Sequence, residues 1–403
     1  MASTPTILLV GINGYGNTYL NPVLDKTLTQ PYKLAGIVDP FAGQHPRIEE
    51  LRQMQIPIVD SVDDFYAESR ADLAIISSPI QFHCRQSVAC LEAGSHVLCE
   101  KPVAGSIQEA LQMTEASRKA GKFLAIGYQW SFSKGIQALK ADILKGVLGA
   151  PKLLKTYVFW PRYKSYYQRN NWAGKLQAAD GTWVLDSPVN NATAHFLHNM
   201  LFVLGDTMNT SARPVSIQGE TYRANPIENY DAAALRVMTD KDVPILFYTC
   251  HPVVELDGPV AEYQFERGTV RFTGNDLIAT LADGTTRSYP SASEPHFDKL
   301  NICLQLLSEG KTDIPCDVPC AMQQTICMNG LQESAPVIEF PSEYRRQLEG
   351  KNGDVLTYID GLDTTMRACY DQEILPGESD MVSWAKTGKL VDLRNYSSYP
   401  SRD

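Results

Sequence analysis

The chain has 403 residues, 44% of them hydrophobic and 20% charged, with 46 acidic against 36 basic side chains for a formal charge of −10. Such a composition fits a globular protein of more than one domain and excludes disorder, because the apolar content suffices for large cores. Nucleic-acid and membrane partners are excluded as well: the balance is acidic, no basic run occurs, and no apolar stretch reaches the ~18 residues that a span requires.

The first predicted element is a strand at residues 7–10. No basic segment precedes it, so a cytoplasmic location is expected. The nine cysteines lie mostly in apolar context and fit the same reducing compartment. Up to residue 128, further β-rich runs at 33–38, 73–77, 96–99 and 123–127 alternate with helical patterns. The clearest helix covers 106–120. Ser106 and Glu109 form an S-x-x-E capping box there, Ile107, Ala110, Leu111 and Thr114 repeat at helical spacing, and Gly121 closes it. Alternation of this kind predicts a parallel sheet with right-handed crossovers.

Beyond residue 128 the texture changes. A helix over 134–145 precedes longer strand-like runs at 152–160, 232–239, 245–251, 260–265 and 269–272, which predict an antiparallel sheet. Helices are expected near 192–204 and 297–309, and again over 354–372 and 380–386. Cys316, Cys320 and Cys327 share one face of an expected helix, but no CxxC pair accompanies them, so they are read as a buried stripe. The expected fold class is α/β: a doubly wound parallel sheet over 1–128, then an α+β domain over 129–403 with a large, mostly antiparallel open sheet and a helical stretch at 354–386.

The first strand runs into Gly11-Ile12-Asn13-Gly14-Tyr15-Gly16. A tight strand-to-helix turn here aims backbone N–H groups and a helix N-terminus at a pyrophosphate. Gly11 and Gly16 hold the first and third positions of G-x-G-x-x-G. Asn13 holds the second, where the lack of a side chain normally lets the phosphate approach. The second strand ends at Asp39, whose carboxylate suits both ribose hydroxyls and repels a 2′-phosphate. No arginine follows in Asp39-Pro40-Phe41-Ala42, so NAD is expected in preference to NADP.

Two more strand ends carry motifs: Ser78-Pro79-Ile80-Gln81-Phe82-His83 and Glu100-Lys101-Pro102. With the fingerprint and Asp39, they resemble the Gfo/Idh/MocA oxidoreductases, whose members act mostly on sugars, inositols and related polyols. The resemblance implies a Rossmann domain in which Ser78, Pro79 and His83 line the cofactor's path and Glu100 lies near the nicotinamide ribose. It points Lys101 at the reacting hydroxyl, makes Pro102 a rigid turn open to a cis peptide, and turns Gln129 toward the cofactor. Ile80 stands where the family usually has Asn. Chemistry gives Lys101 an independent reason, since hydride transfer from a secondary alcohol requires removal of the hydroxyl proton. A lysine desolvated beside a cationic ring titrates nearer the ~7–8 useful to a general base.

In the second domain, Asn191, His195 and His198 fall at i, i+4 and i+7 on an otherwise apolar helix, a stripe expensive to bury without partners. The two histidines have no third ligand at a convincing spacing, so no metal is expected. The family usually carries Asp-x-x-x-His here, with glycine ten residues after the histidine. Counting back from Gly205 puts His195 in that place as an assistant to Lys101, and Asn191 where the aspartate is expected. Asp186, on the entering loop, is read as the carboxylate arriving from another direction. Trp160, Arg162, Tyr163, Asn171 and Trp172 form a second wall, with rings for C–H faces and amide or guanidinium groups for hydroxyls. The family places an arginine at the position of Arg162. Ser131 stands where many relatives carry arginine, which favours a neutral substrate.

The sequence therefore reads as an NAD-dependent oxidoreductase interconverting a secondary alcohol and a ketone on a sugar, polyol or glycoside. One alternative is an NAD-retaining glycoside hydrolase or lyase working through transient oxidation. The other is an NAD-bound sensor without turnover. The resemblance further implies a homo-oligomer, dimer or tetramer, built on the open face of the second sheet.

Overall fold

The computed structural model describes residues 4–292 and 298–401. These divide into two compact units: unit 1 comprises 4–104, 108–133 and 298–322, and unit 2 comprises 105–107, 134–292 and 323–401.

Unit 1 is built on six parallel strands, β1 (Thr6–Val10), β2 (Lys33–Val38), β3 (Ile58–Val59), β4 (Leu73–Ile76), β5 (His96–Cys99) and β6 (Leu124–Ile126). Their order, β3-β2-β1-β4-β5-β6, is that of the dinucleotide-binding doubly wound sheet. Helices cover both faces of such a sheet, so the strands read as unbroken apolar runs: Ile7, Leu8, Leu9 and Val10 are all at most 1% exposed. Helix Ile107–Ala120 follows β5, and Gly121 ends it at φ +62°.

Chain order misleads most in the C-terminal half. Helix Asp298–Ser308 belongs to unit 1, although its position in the sequence suggests the second domain; residue 297 of the expected helix lies outside the described residues. The chain returns to cover an edge. Ile126 N donates to Cys316 O at 2.9 Å and Ala125 bridges to Asp317, satisfying backbone groups that β6 would otherwise leave bare.

Unit 2 centres on a ten-stranded mixed sheet. Its strands are β7 (Pro151–Phe159), β8 (Pro214–Arg223), β9 (Ala232–Thr239), β10 (Pro244–Cys250), β11 (Asp257–Phe265), β12 (Gly268–Thr273), β13 (Asp276–Leu281), β14 (Thr286–Tyr289) and β15 (Val337–Glu339), with a short β18 (Val391–Asp392) paired to β8. Between β15 and β18 come the hairpin strands β16 (Arg345–Glu349) and β17 (Val355–Ile359). The order in the sheet is β14-β13-β12-β11-β7-β10-β9-β8-β15. All neighbours are antiparallel except β7 with β10 and β8 with β15.

Period-two alternation sends the residues of each strand to opposite faces. On one face Thr156 meets Met200 and Thr249 meets Thr193, which brings helix Ala194–Val203 onto the sheet. On the other, Tyr157, Phe159, Tyr222, Tyr248 and Cys250 join Leu362, Met366, Cys369, Tyr370 and Trp384 in one buried cluster.

Two expectations need correction. The sheet face is not open across β7–β10, because helix Leu362–Gln372 and its flanks cover it. Residues 354–372 are not helix throughout, and 380–386 form no helix. Val355-Leu356-Thr357-Tyr358-Ile359 is β-branched and aromatic, pairs with β16, and reaches it through a turn holding Asn352 and Gly353 at φ 59° and 74°. Besides β16 and β17, strands β3, β8, β13, β14, β15 and β18 are additions to the expected set.

The nine cysteines are buried, and none forms a disulfide. No helix among the described residues is long and apolar enough to cross a membrane.

Candidate functional site

Hydrogen bonds between neighbouring strands of unit 1 align their motif-bearing ends in a row. Gly11 N donates to Val38 O at 2.8 Å, Ser77 N to Val10 O at 2.9 Å, Glu100 N to Ile76 O at 2.8 Å and Gly127 N to Cys99 O at 2.7 Å. This row lies at the carboxyl ends of the strands and spans the point where strand order reverses, between β1 and β4. Ligands of doubly wound sheets bind there.

The fingerprint turn is shaped by close approach. Gly11 stands at φ +80°, and a Cβ added to Gly16 would lie 2.3 Å from Gly11 O. The turn Gly14–Gly16 leads directly into helix Asn17–Leu24, whose first N–H groups lack intrahelical acceptors. Ile12 is buried, whereas Tyr15 is 45% exposed. Asn13 is extended (φ −84°, ψ 161°), so its backbone makes no demand for glycine. Its side chain turns to Asp39: Asn13 Nδ2 donates to Asp39 Oδ2 at 3.0 Å, and Ile12 N donates to the same oxygen at 2.9 Å. Phe41 N donates to Asp39 Oδ1 at 2.8 Å. Asp39 is thus tied from both sides.

The loops after β4 and β5 are joined through His83. Its Nδ1 lies 2.9 Å from Pro102 O and its Nε2 3.0 Å from Ser78 O. Burial pushes the imidazole pKa down against the pull of these carbonyls, and a neutral ring donates to one of them. Ser78 Oγ donates to Gln86, and Pro79 precedes the turn Ile80–Phe82 in which Ile80 is buried. Lys101 is partly exposed and forms a cis peptide with Pro102. Gln129, also partly exposed, opens the turn Gln129–Phe132.

Glu100 is buried in a polar knot. One carboxylate oxygen accepts from Tyr19 Oη and from Lys299 Nζ, and the other accepts from Lys101 N at 3.1 Å. Burial alone would raise this carboxyl, but the Lys299 ammonium and the donated hydrogen bonds outweigh it and hold the pKa below the ordinary value. Lys299 also donates to Gly127 O at 3.3 Å and lies 5.2 Å from the Tyr19 ring centroid. Sequence reasoning missed Lys299. Its partner stands 199 positions away, and no local pattern signals that distance.

In unit 2, Asp186 gathers the predicted polar residues. Asp186 Oδ1 accepts from Asn191 Nδ2 at 2.8 Å, Oδ2 accepts from Gly174 N at 2.7 Å, and Arg169 stands 3.7 Å away. Asn191 lies in the wide turn Pro188–Ala192, capped by Ser187, from which helix Ala194–Val203 continues. His195 is partly exposed on that helix. His198 is fully buried, and burial together with Lys140 pushes its pKa down to about 3.

The aromatic wall is cationic. Arg169 lies over the Tyr166 ring at 3.8 Å and the Trp172 ring at 5.2 Å, while Arg162 lies over the same Tyr166 ring at 4.8 Å and the Trp160 ring at 5.7 Å. Trp160 Nε1 donates to Gly258 O at 3.1 Å. Tyr163 is partly exposed, and Asn171 is exposed. His251, absent from the sequence reading, packs edge-on to Tyr166, and its Nδ1 lies 2.9 Å from Trp160 O.

Residues 6–128 match the family model GFO_IDH_MocA, described as an oxidoreductase family with an NAD-binding Rossmann fold. The D-glucoside 3-dehydrogenase of Escherichia coli is 39% identical over 154 residues, which are 37% of this chain and 42% of that protein. A 1,5-anhydro-D-fructose reductase of Ensifer adhaerens is 29% identical over 150 residues, again 37% and 42%. A scyllo-inositol 2-dehydrogenase (NADP(+)) of Bacillus subtilis is 26% identical over 193 residues, 46% of this chain and 51% of that one. The chain thus spans between 42% and 51% of the length of these relatives. Among solved structures, the WlbA dehydrogenase of Bordetella pertussis, in complex with NADH and UDP-GlcNAcA, superposes with a TM-score of 0.66 at 19% identity, covering 82% of this chain and 96% of that one. With that fold, and with the fingerprint, Asp39 and the Glu100-Lys101-Pro102 turn aligned at the strand ends, residues 6–128 are similar to the NAD-binding Rossmann domain of the Gfo/Idh/MocA oxidoreductases.

Proposed function

We propose that the chain is an NAD-dependent dehydrogenase that interconverts a secondary alcohol and a ketone on a sugar, polyol or glycoside, with Lys101 as the proton-transfer group. The observation that carries this reading is the turn after β5, where a partly exposed Lys101 follows a Glu100 carboxylate already neutralised by Lys299. Lys299 is the larger cationic influence on Glu100, ahead of Lys101, and the partly exposed Lys101 amine is proposed to exchange a proton with a substrate hydroxyl. The names of the relatives, which act on glucosides, anhydrofructose and inositol, support the substrate class.

The residues fit a dinucleotide. A cradle that any Cβ would fill, the start of helix Asn17–Leu24 and the Asp39 carboxylate suit a pyrophosphate and a ribose respectively. A bound nicotinamide would supply the hydride acceptor or donor. Gly11, Ile12, Gly14, Tyr15 and Gly16 would hold the phosphates; Ser78, Pro79, His83, Glu100 and Gln129 would bound the rest of the cofactor. In unit 2, His195 would assist proton transfer. Asp186 and Asn191 act as one hydrogen-bonded pair, so the Asp186 carboxylate supplies the charge that the amide at 191 lacks. Trp160, Arg162, Tyr163, Asn171, Trp172 and His198 complete the proposed substrate residues. The protein is proposed to act in the cytoplasm as a homo-oligomer, assembled through a surface other than the covered face of β7–β10.

The test is absorbance at 340 nm with NAD⁺ against a panel of glycosides and polyols, with products identified by mass spectrometry. Lys101→Met is expected to lose ~10²–10⁴ in kcat, the usual cost of removing a general acid or base. NAD affinity should change far less. A variant retaining more than about a tenth of the turnover overturns Lys101 as the proton-transfer group.

A further inference from the structure

We infer that Asn13 is a cofactor-selectivity residue, whose side-chain amide holds the Asp39 carboxylate in place and thereby sets the discrimination between NAD and NADP. The inference rests on the reading that unit 1 binds a dinucleotide.

The second fingerprint position normally lacks a side chain so that phosphate can approach. Asn13 is no intrusion on that path, because Nδ2 is spent on Asp39 Oδ2 at 3.0 Å and reaches Phe41 O at 3.3 Å. The backbone gives no other reason for asparagine, being extended at this residue. Of the other donors to Asp39 Oδ2, Ile12 N is close at 2.9 Å and Asn13 N is long at 3.4 Å. The amide is therefore the one side chain that orients this oxygen among the described residues. Phe41 N fixes the opposite oxygen at 2.8 Å, and Asp39 as a residue is only 7% exposed.

A carboxylate held this way keeps its charge where a ribose 2′ substituent would come. It accepts from a hydroxyl there and repels a phosphate. Without the amide, the Asp39 side chain gains freedom to turn away, and the repulsion that rejects NADP weakens. The pyrophosphate is common to both cofactors, so room opened by shortening Asn13 changes both affinities alike and cancels in their ratio. Loss of a hydrogen bond to a charged group is worth about tenfold.

The experiment is calorimetric titration of NAD and NADP into the wild-type chain, Asn13→Gly, Asn13→Ala, Asp39→Ala and the Asn13→Ala/Asp39→Ala double variant. Thermal melts check that each is folded. The Kd ratio of NADP to NAD is expected to fall about tenfold in both Asn13 variants, with no further fall when Asn13→Ala is added to Asp39→Ala. A ratio unchanged in folded Asn13→Gly and Asn13→Ala overturns the inference while leaving the cofactor reading intact. An additive fall in the double variant overturns it too, because Asn13 would then act apart from Asp39. A wild-type chain that binds neither dinucleotide overturns the cofactor reading itself, and the inference with it.

Discussion

Lys299 is fully buried, and its ammonium is neutralised by Glu100. Removing one partner of such a pair strands the other charge, which is generally far costlier than losing the pair as a whole. Lys299→Met is therefore expected to destabilise the fold by about 3–5 kcal/mol, and Lys299→Met/Glu100→Gln should recover part of that loss. Denaturant titration of the two variants checks it; a single variant as stable as wild type would mean that the pair carries no such stake. The sign with pH follows from Glu100. Its folded pKa is depressed, so its contribution is present above the unfolded carboxylate value and is lost as pH falls through the folded one. In Lys299→Met that acid-linked loss should begin at higher pH. The same logic of paired groups explains Asn191, whose amide donates to Asp186 and so leaves no polar group stranded where an aspartate was expected.

At the scale of elements, the fingerprint turn is limited by backbone against backbone. A methyl on Gly16 would face Gly11 O at 2.3 Å and Gly11 C at 2.9 Å, and neither atom can rotate aside. Gly16→Ala should therefore open the turn, cost about 1–3 kcal/mol in stability, and lower NAD affinity by an order of magnitude or more, because the N–H groups that suit phosphate move with it. Thermal melts and NAD titration measure both; full NAD affinity in Gly16→Ala would show that the turn has slack. Elements with strong local signals were legible in the sequence. The five expected strands of unit 1 are apolar on both faces and bounded by turns, and helix Lys134–Leu144 shows its period plainly. Strand β17 falls in a stretch whose sequence suggests helix, and β16 lies outside the expected elements, although Asn352-Gly353 carries the hairpin signal. Its outer strand is polar, Arg-Arg-Gln-Leu-Glu, and gives no clear alternation by itself.

For the whole molecule, the decisive feature is the C-terminal segment lying on the sheet of unit 2. Leu362, Met366 and Cys369 are fully buried against Tyr157, Tyr222 and Tyr248, so this face is satisfied within one chain. Ending the chain at Phe340 should expose that aromatic cluster and drive aggregation, an exposed apolar face of this kind being a known liability. Soluble yield and sedimentation velocity of the shortened chain decide it; a soluble, monodisperse product would show the segment to be dispensable. The sequence by itself determined the alternating parallel layout of unit 1, the motifs at its strand ends and the expectation of a bound dinucleotide, because these depend on neighbours close along the chain: a turn, a strand end, a residue type at fixed spacing. Only the tertiary structure decided that Lys299 neutralises Glu100, that Asn13 holds Asp39, that helix Asp298–Ser308 belongs to unit 1 and that the second sheet is covered. Each of these joins residues far apart in sequence, and a buried charge or an apolar face finds its partner by proximity in space, which no local pattern encodes.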